Sequence, residues 1–216
     1  MHVHPSVGEV YARIARTHGF EVDSRTVQTR FDAAWGAMRL RVPRGSNRYR
    51  LFPGGEAGWW REVVSLSFEG SGFDPAPHFE EFFDTFADAG AWETFPDAVP
   101  VLQELTARGV RLGVISNWDS RLPALLEGMG LRRYFSTVLY SAAEDVEKPS
   151  AEIFRRAAQR CGVDPERALH VGDRLEEDYR GARAAGLRAL LVARRGESGG
   201  NGAEVVTDLG QVSGHL

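Results

Sequence analysis

The sequence predicts an α/β protein in which a parallel sheet follows a helical domain. Residues 7–93 carry apolar side chains three and four positions apart, which is the period of amphipathic helices. From residue 94 onwards, short apolar runs alternate with helical stretches, a pattern typical of βαβ units and a parallel sheet. We therefore place a domain boundary near Thr94, with domains at residues 7–93 and 94–216.

The helical half is predicted to contain several helices interrupted by one long loop. Residues 39–58, which are rich in Arg, Gly and Pro, are expected to form that loop. No alternating strand pattern is found in this half. His2 and His4 imitate an HxH metal motif, but they are interpreted as a disordered tail because no carboxylate is placed beside them. The loop contains arginines for which contact with an anionic substrate and simple solvation are alternatives: Arg39, Arg41, Arg44, Arg48 and Arg50.

The C-terminal half is predicted to alternate helices with strands. Helices are expected at residues 97–108, 120–129, 150–160 and 177–185. Strands are expected at residues 111–116, 137–141, 168–173, 188–193 and 204–207. The Gly-rich stretch 194–202 opens no helix, so it is predicted to be a surface loop and not a phosphate-binding loop.

Composition limits the classes of function. The 216 residues carry a formal net charge of -4, so there is no net basic character of the kind that nucleic acids or anionic membranes favour. No run approaches the ~18 consecutive apolar residues that a membrane span requires. The single cysteine, Cys161, cannot form an internal disulfide, and the first ten residues lack the pattern of a signal peptide. Composition thus favours a cytoplasmic protein that acts on small molecules, without nucleic-acid or membrane partners.

Polar residues end the first strand predicted in the C-terminal half. Ser116 and Asn117 follow its apolar run, and ligands of open parallel sheets bind beyond the carboxyl ends of the strands. A hydroxyl and an amide at such a position can donate hydrogen bonds to an anionic oxygen. Helix capping is the alternative use of these residue types, but Asp119 or Ser120 already suits that position. Ser116 and Asn117 are therefore candidate ligands for an anionic group.

A lysine lies in a predicted loop directly before Pro149. Lys148 is the sole lysine among the 26 basic residues, and all the others are arginines. A position that keeps lysine in such a chain is expected to need a compact point charge on a flexible stem. Chance retention of a surface lysine is the alternative, and composition alone does not separate the two.

One acid ends the strand predicted at 168–173, and a second lies shortly after it. Asp173 ends that strand after Gly172, and Asp178 lies five residues further on. Mg²⁺ requires hard oxygen ligands and keeps several of its waters. A carboxylate at a strand end, backed by a second at the start of the next helix, therefore indicates a magnesium site, although either acid alone would be an ordinary helix cap.

The order and spacing of these features resemble one family. Motifs two, three and four of the haloacid dehalogenase (HAD) superfamily are matched by Ser116 with Asn117, by Lys148 before Pro149, and by Gly172 and Asp173 with Asp178. The resemblance runs from about residue 95 to the end of the chain, and the helical half resembles the cap domain of subfamily I members. It implies a HAD-like, Rossmann-type core, and a hydrolase that acts as a magnesium-dependent phosphatase on a small phosphomonoester through an aspartyl-phosphate.

The resemblance also implies a catalytic role for each residue. Ser116 and Asn117 would hold the phosphoryl group that is transferred, and Lys148 would neutralise its charge and orient the nucleophile. Asp173 would bind Mg²⁺, and Asp178 would support Lys148 or a metal-bound water. This division of roles agrees with phosphoryl transfer, in which catalysis is mainly positioning and charge neutralisation.

The superfamily's first motif, a strand that ends in the nucleophilic aspartate, is not found. Only six residues precede Val7, where the first helix is predicted, and these are too few for such a strand. The family places it between the strands ending in Ser116 and Asp173. Asp97 is not a convincing substitute because it suits a helix cap. We therefore expect an N-terminally truncated and inactive chain whose central core strand is missing.

Two other functions remain as alternatives. A 2-haloacid dehalogenase of the same superfamily also has a Ser-Asn pair, but its chemistry uses no metal and such enzymes lack the acid at the position of Asp173. A catalytically inactive relative retained for binding is expected to lose several motifs together, whereas here motifs two to four are intact.

Overall fold

The computed structural model describes residues 1–194 and 202–216, and it confirms the predicted α/β class. Residues 195–201 of the Gly-rich stretch, which was predicted to be a loop, lie outside the described residues. The helices are α1 (Val7–Thr17), α2 (Ser24–Arg39), α3 (Arg48–Leu51), α4 (Gly55–Ser67), α5 (Phe79–Thr85), α6 (Ala98–Ala107), α7 (Leu122–Gly128), α8 (Ser141–Glu144), α9 (Ala151–Arg160) and α10 (Gly181–Ala184). The strands are β1 (His2–Val3), β2 (Trp92–Glu93), β3 (Gly113–Ser116), β4 (Thr137–Tyr140), β5 (Leu169–Gly172), β6 (Arg188–Val192) and β7 (Val205–Val206).

The chain divides into two compact units. The first contains Met1–Pro43, Arg48–Thr94 and Ala124–Met129. The second contains Arg44–Asn47, Phe95–Pro123 and Gly130–Leu216. No helix among the described residues is both long enough and apolar enough to cross a bilayer.

The first unit is a helical bundle with an aromatic core. Helix α1 begins where the Ser6 side chain accepts a hydrogen bond from the backbone N–H of Glu9, as an N-cap residue does. The buried face of α1 carries Tyr11, whose ring lies edge-on to Phe82 at 5.1 Å between centroids and stacks on Phe68 at 5.7 Å. Burial of these large rings supplies the main stabilisation of this unit.

Two expectations for the helical half are wrong. His2 is not part of a disordered tail, because β1 pairs antiparallel with β2 and the amide of His4 donates to the carbonyl of Ala91 at 3.0 Å. Residues 39–58 are not one loop, because α3 and the start of α4 lie within them. Arg48 in α3 is buried and lies over the rings of Trp35 and Trp59, so tertiary packing overrides the local Gly and Pro signals, and this arginine is not solvated.

The second unit contains two parallel sheets. One sheet pairs β3 with β4, and the other has the order β5-β6-β7. Helix α9 begins at the N-cap Ser150 and buries Ile153 and Phe154 completely, in a core that also contains Leu139 of β4. The predicted strands are all present, with bounds shifted by one or two residues.

Strands β3 and β5 each have one edge without a strand partner among the described residues, since β3 pairs only with β4 and β5 only with β6. The carbonyl of Leu112 accepts from Ser136 on the β4 side, and that of Ala168 accepts from Arg188 on the β6 side. Because successive residues of a strand point their backbone groups to opposite sides, the peptide groups of Ile115 and of Val171 face the other way. Among residues 1–194 and 202–216, no strand pairs with the backbone donors and acceptors along one edge of each of these two strands.

The strands with an open edge, β3 and β5, are also less buried than β6. All four residues of β5 are half-buried, and β3 is half-buried except for the exposed Gly113. By contrast, four of the five residues of β6 are buried.

Candidate active site

The predicted site residues of the second unit lie at the carboxyl ends of β3 and β5 and in the loop that carries Lys148. Ser116 is the last residue of β3, and Asn117 follows it. The side-chain Nδ2 of Asn117 donates to the carbonyl of Lys148 at 2.9 Å, and the amide of Lys148 donates to Oδ1 at 2.7 Å. Asn117 therefore holds the backbone of the lysine in place, and its expected role as a ligand of the phosphoryl group stays a prediction.

Lys148 and Asp178 form an ion pair that is almost excluded from solvent. The Nζ atom of Lys148 lies 2.5 Å from Oδ1 of Asp178, and the two side chains are 12% and 3% exposed. His170 of β5 places Nε2 at 2.9 Å from the same oxygen, and the amide of Arg174 donates to Oδ2 at 3.0 Å. Two roles were expected for Asp178, support of Lys148 or of a metal-bound water, and its contacts agree with the first.

A widened helical turn carries Asp178. Residues Leu175–Arg180 form a π-helix, and α10 continues from it, so the single helix predicted at 177–185 is wrong in detail. The amides of Asp178 and Tyr179 both donate to the carbonyl of Arg174, at 2.8 and 3.2 Å. Such π turns are common at functional sites because they change the direction of a side chain without ending the helix. Here the turn buries the Asp178 carboxylate beneath Lys148.

The charges of this network are fixed by its surroundings. Burial alone would raise the pKa of Asp178, but the hydrogen bond from His170 and the charge of Lys148 outweigh it and hold the pKa well below its ordinary value. Burial lowers the pKa of His170, against the opposing effect of its hydrogen bond to Asp178. At neutral pH the ring is therefore uncharged, and its Nε2 carries the proton that is donated to Asp178.

This network predicts a loss of stability in mild acid. The folded protein lowers the pKa of His170. Below about pH 6.5 the unfolded chain therefore binds a proton at this histidine that the folded chain does not bind, and the free energy of unfolding falls. Between pH 7 and pH 5 the free energy of unfolding should fall less in His170→Gln than in the wild type. The difference should be up to about 1.4 kcal/mol per pH unit. Urea titrations at both pH values measure this difference. His215→Gln, which alters a partly exposed histidine, is the control, and an equal loss in wild type and His170→Gln contradicts the assignment.

Asp173 is the exposed acid of the site. It follows Gly172 directly after β5, and its side chain is accessible to solvent, in contrast to the buried Asp178. A Cβ atom on Gly172 would lie 2.3 Å from Cγ of Asp178 and 2.6 Å from its Oδ2. Only glycine fits at position 172, because the Asp178 side chain packs against the backbone of the strand there.

Replacement of Gly172 is expected to break this arrangement. The Cβ of Gly172→Ala meets the Asp178 side chain well inside contact distance, so either the strand or the carboxylate must move, at a cost of about 1–3 kcal/mol in the free energy of unfolding. Urea denaturation measures the loss. Gly36→Ala, where a Cβ meets nothing within 4 Å, is the matched control and is expected to be neutral or stabilising. Equal stability of the two variants would contradict the close contact.

Sequence reasoning missed His170 and misjudged Asp97. A histidine on an otherwise apolar strand two residues before Gly172 was the available signal, since residues two apart on a strand share a face. Asp97 does not cap α6 through its side chain; it pairs with Arg194 at 2.8 Å and accepts from the amide of Leu209 at 2.8 Å. Burial alone would raise the pKa of Asp97, but the hydrogen bond from Arg194 and the other contacts hold it below its ordinary value.

Known proteins with similar sequences include a haloacid dehalogenase-like hydrolase domain-containing protein and a phosphatase. A mouse haloacid dehalogenase-like hydrolase domain-containing protein 3 is 38% identical over 192 residues, which is 87% of this chain and 75% of the mouse protein. A phosphoserine phosphatase from Thermus thermophilus is 37% identical over 142 residues, which is 64% of this chain and 56% of that protein.

Solved structures show the same fold. The magnesium-bound structure of the putative HAD-hydrolase YfnB from Bacillus subtilis superposes with a TM-score of 0.75 at 16% identity, covering 97% of this chain and 91% of that one. The profile of the haloacid dehalogenase-like hydrolases matches residues 1–186. On this match and on the similarity to the mouse protein, the chain belongs to the haloacid dehalogenase-like hydrolase family.

Proposed function

We propose that the chain forms most of a magnesium-dependent phosphatase that hydrolyses a small phosphomonoester. The observation that carries the proposal is the buried Lys148–Asp178 pair at the carboxyl end of the sheet, within the same unit as Ser116 and the exposed Asp173. A fixed ammonium, a hydroxyl and a free carboxylate supply the positioning and charge neutralisation that phosphoryl transfer needs. The phosphatase among the relatives supports this choice within the family.

The residues divide the work as follows. Ser116 donates its hydroxyl to an oxygen of the phosphoryl group, and Lys148 neutralises the charge that develops on that group. Asp178 and Asn117 position the lysine, one through its ammonium and the other through its backbone. His170 contacts the same oxygen of Asp178 as Lys148 does. The phosphate therefore meets a cation whose place is determined by three neighbouring side chains.

Asp173 fits a magnesium ion that keeps most of its waters. Mg²⁺ is usually bound through one or two carboxylates together with substrate phosphate oxygens, and Asp173 is an exposed carboxylate beside the lysine network. Asp178 is already engaged by Lys148 and His170. When bound, the ion polarises the phosphoryl oxygens. Asp173 would hold it together with a carboxylate from the nucleophile segment.

The nucleophile, in this proposal, comes from a further strand between β3 and β5. Both strands offer unpaired edges among the described residues. A strand inserted there would satisfy both edges and would end at the same side as Ser116 and Asp173. An aspartate at its end would attack phosphorus, form an aspartyl-phosphate and release the alcohol, and water would then cleave that acyl phosphate. The first unit would serve as the cap.

Phosphate release from p-nitrophenyl phosphate tests the proposal. The test compares the 216-residue chain with an extended chain, which adds in-frame N-terminal residues forming an apolar strand and an Asp-x-(Asp or Thr)-Gly-Thr-like turn. We expect hydrolysis that requires Mg²⁺ only in the extended chain. Hydrolysis of 2-chloropropionate without metal would instead favour a haloacid dehalogenase. Absence of both activities in a folded extended chain would favour a binding protein.

A further inference from the structure

A second cluster of metal-binding side chains lies in the first unit, on the ribbon formed by β1 and β2. His2 faces Glu93 in the antiparallel register, and the His4 amide extends the pairing by donating to Ala91. Alternate residues of a strand share a face, and residues directly opposite on two strands lie side by side. Two imidazoles and one carboxylate therefore project from the same face of the ribbon.

Two of the three distances within this cluster are close to those of a transition-metal site. Oε2 of Glu93 lies 3.0 Å from Nδ1 of His4 and 3.6 Å from Nε2 of His2. One ligand atom from each residue lies within 4.8 Å of the other two. Around a tetrahedral zinc ion with bonds of about 2.0–2.1 Å, ligand atoms are separated by about 3.3 Å. The two distances to Glu93 lie on either side of this value, and the nitrogens of His2 and His4 lie no more than 4.8 Å apart, so side-chain rotation is enough to let the three share an ion.

We propose that His2, His4 and Glu93 bind a divalent transition-metal ion of the zinc class. Imidazole nitrogens suit zinc, nickel and copper, whereas Mg²⁺ requires oxygen ligands. The site therefore selects different ions from those expected at Asp173. Three protein ligands leave a fourth position for water, and the ligand side chains are 41%, 61% and 57% exposed, which leaves the cluster open to an ion from solvent.

The ion would stabilise a short ribbon. Strands of two residues are too short to be stable alone, and metal binding to a site that exists only in the folded state stabilises that state. Glu93 directly precedes Thr94, the last residue of its segment of the first unit. The metal would therefore join the segment around His2 to the one that leads out of this unit.

Isothermal titration with Zn²⁺ alone tests the site, in the Asp173→Asn background so that the proposed magnesium site does not contribute. We expect one zinc ion per chain at pH 7.5. His2→Asn, His4→Asn and Glu93→Gln are each expected to weaken binding at least about tenfold, since even outer-shell changes cost that much. His215→Asn is the matched control because it removes a partly exposed histidine that also contacts one glutamate, Glu204, and it should bind as the background does.

Cobalt supplies a second readout that does not depend on stability. Co²⁺ bound by the cluster should show the visible absorption of a four-coordinate ion, and this band should be absent in His4→Asn. Equal zinc affinity in His4→Asn and His215→Asn would overturn the proposal, and so would the absence of stoichiometric binding, since the cluster would then be an ion pair only. Neither result affects the proposed phosphatase.

Discussion

Asp173→Asn in the extended chain is expected to abolish magnesium-dependent phosphate release, with a loss of at least about a thousandfold in kcat/KM. The substitution removes the exposed carboxylate of the site, while Asp178 stays committed to Lys148 and His170. A metal ion contributes several kcal/mol of charge stabilisation to such a reaction, and about 4 kcal/mol corresponds to three orders of magnitude. Initial rates at several Mg²⁺ concentrations measure the effect.

The control for this variant is Asp164→Asn, which alters an exposed acid in the turn before β5. It is expected to keep the wild-type rate and magnesium dependence. If Asp173→Asn keeps more than about a tenth of the wild-type rate, the exposed acid is not the metal ligand and the assignment of Asp173 is wrong.

Lys148→Arg is expected to lower kcat by about a hundredfold although it preserves the charge. The ammonium lies close to Asp178 in a nearly closed space, and a planar guanidinium is longer and spreads its charge over a fork. A displacement of about 1 Å in an active site is enough for a loss of this size. Rates at saturating p-nitrophenyl phosphate give kcat directly.

Arg155→Lys, an exposed position on α9, controls for the exchange of one cationic residue for another and should leave kcat unchanged. Asp178→Asn tests the importance of the ion pair by changing the partner of Lys148. It leaves Lys148 beside a neutral amide and should lower both stability and kcat, because breaking a buried pair costs about 3–5 kcal/mol. Wild-type kcat in Lys148→Arg would show that the sole lysine is incidental.

The sequence was sufficient to predict the elements that depend on local patterns. Apolar runs placed β3 to β6 within one or two residues, and helix periodicity located α1 and α9. The polar residues that end strands were recognised because the carboxyl edge of a parallel sheet is where ligands bind. These signals are contained in short windows, so tertiary packing did not need to be known.

Features that depend on distant contacts were not predictable in this way. The ribbon of β1 and β2 joins residues about ninety positions apart and has only two residues in each strand, so neither strand leaves a periodic pattern. The π turn places Asp178 in contact with Lys148 and His170, which come from other segments. The hydrogen bond from Asn117 to the backbone of Lys148 joins residues 31 positions apart, so no local pattern indicated it.

The division into a cap at 7–93 and a core at 94–216 stays a prediction, as do the catalytic roles. The contact-based units exchange small segments across that division, because Arg44–Asn47 belong with the second unit and Ala124–Met129 with the first. The bridge between Ser46 and Val146, together with the bond from the Glu147 amide to the carbonyl of Gly45, ties the former segment to the loop that carries Lys148. Gly45 and Ser46 therefore contact the residues just before Lys148 through their backbone.

The central claim is that a further strand completes this core. Hydrogen exchange at the open edges of β3 and β5 tests it most directly. In the 216-residue chain, the amides of Ile115 and Val171 should exchange quickly, whereas those of Val114 and His170, which face β4 and β6, should be better protected. In the extended chain all four amides should be protected to a similar degree. Slow exchange at Ile115 and Val171 in the 216-residue chain, unchanged by the extension, would contradict the claim.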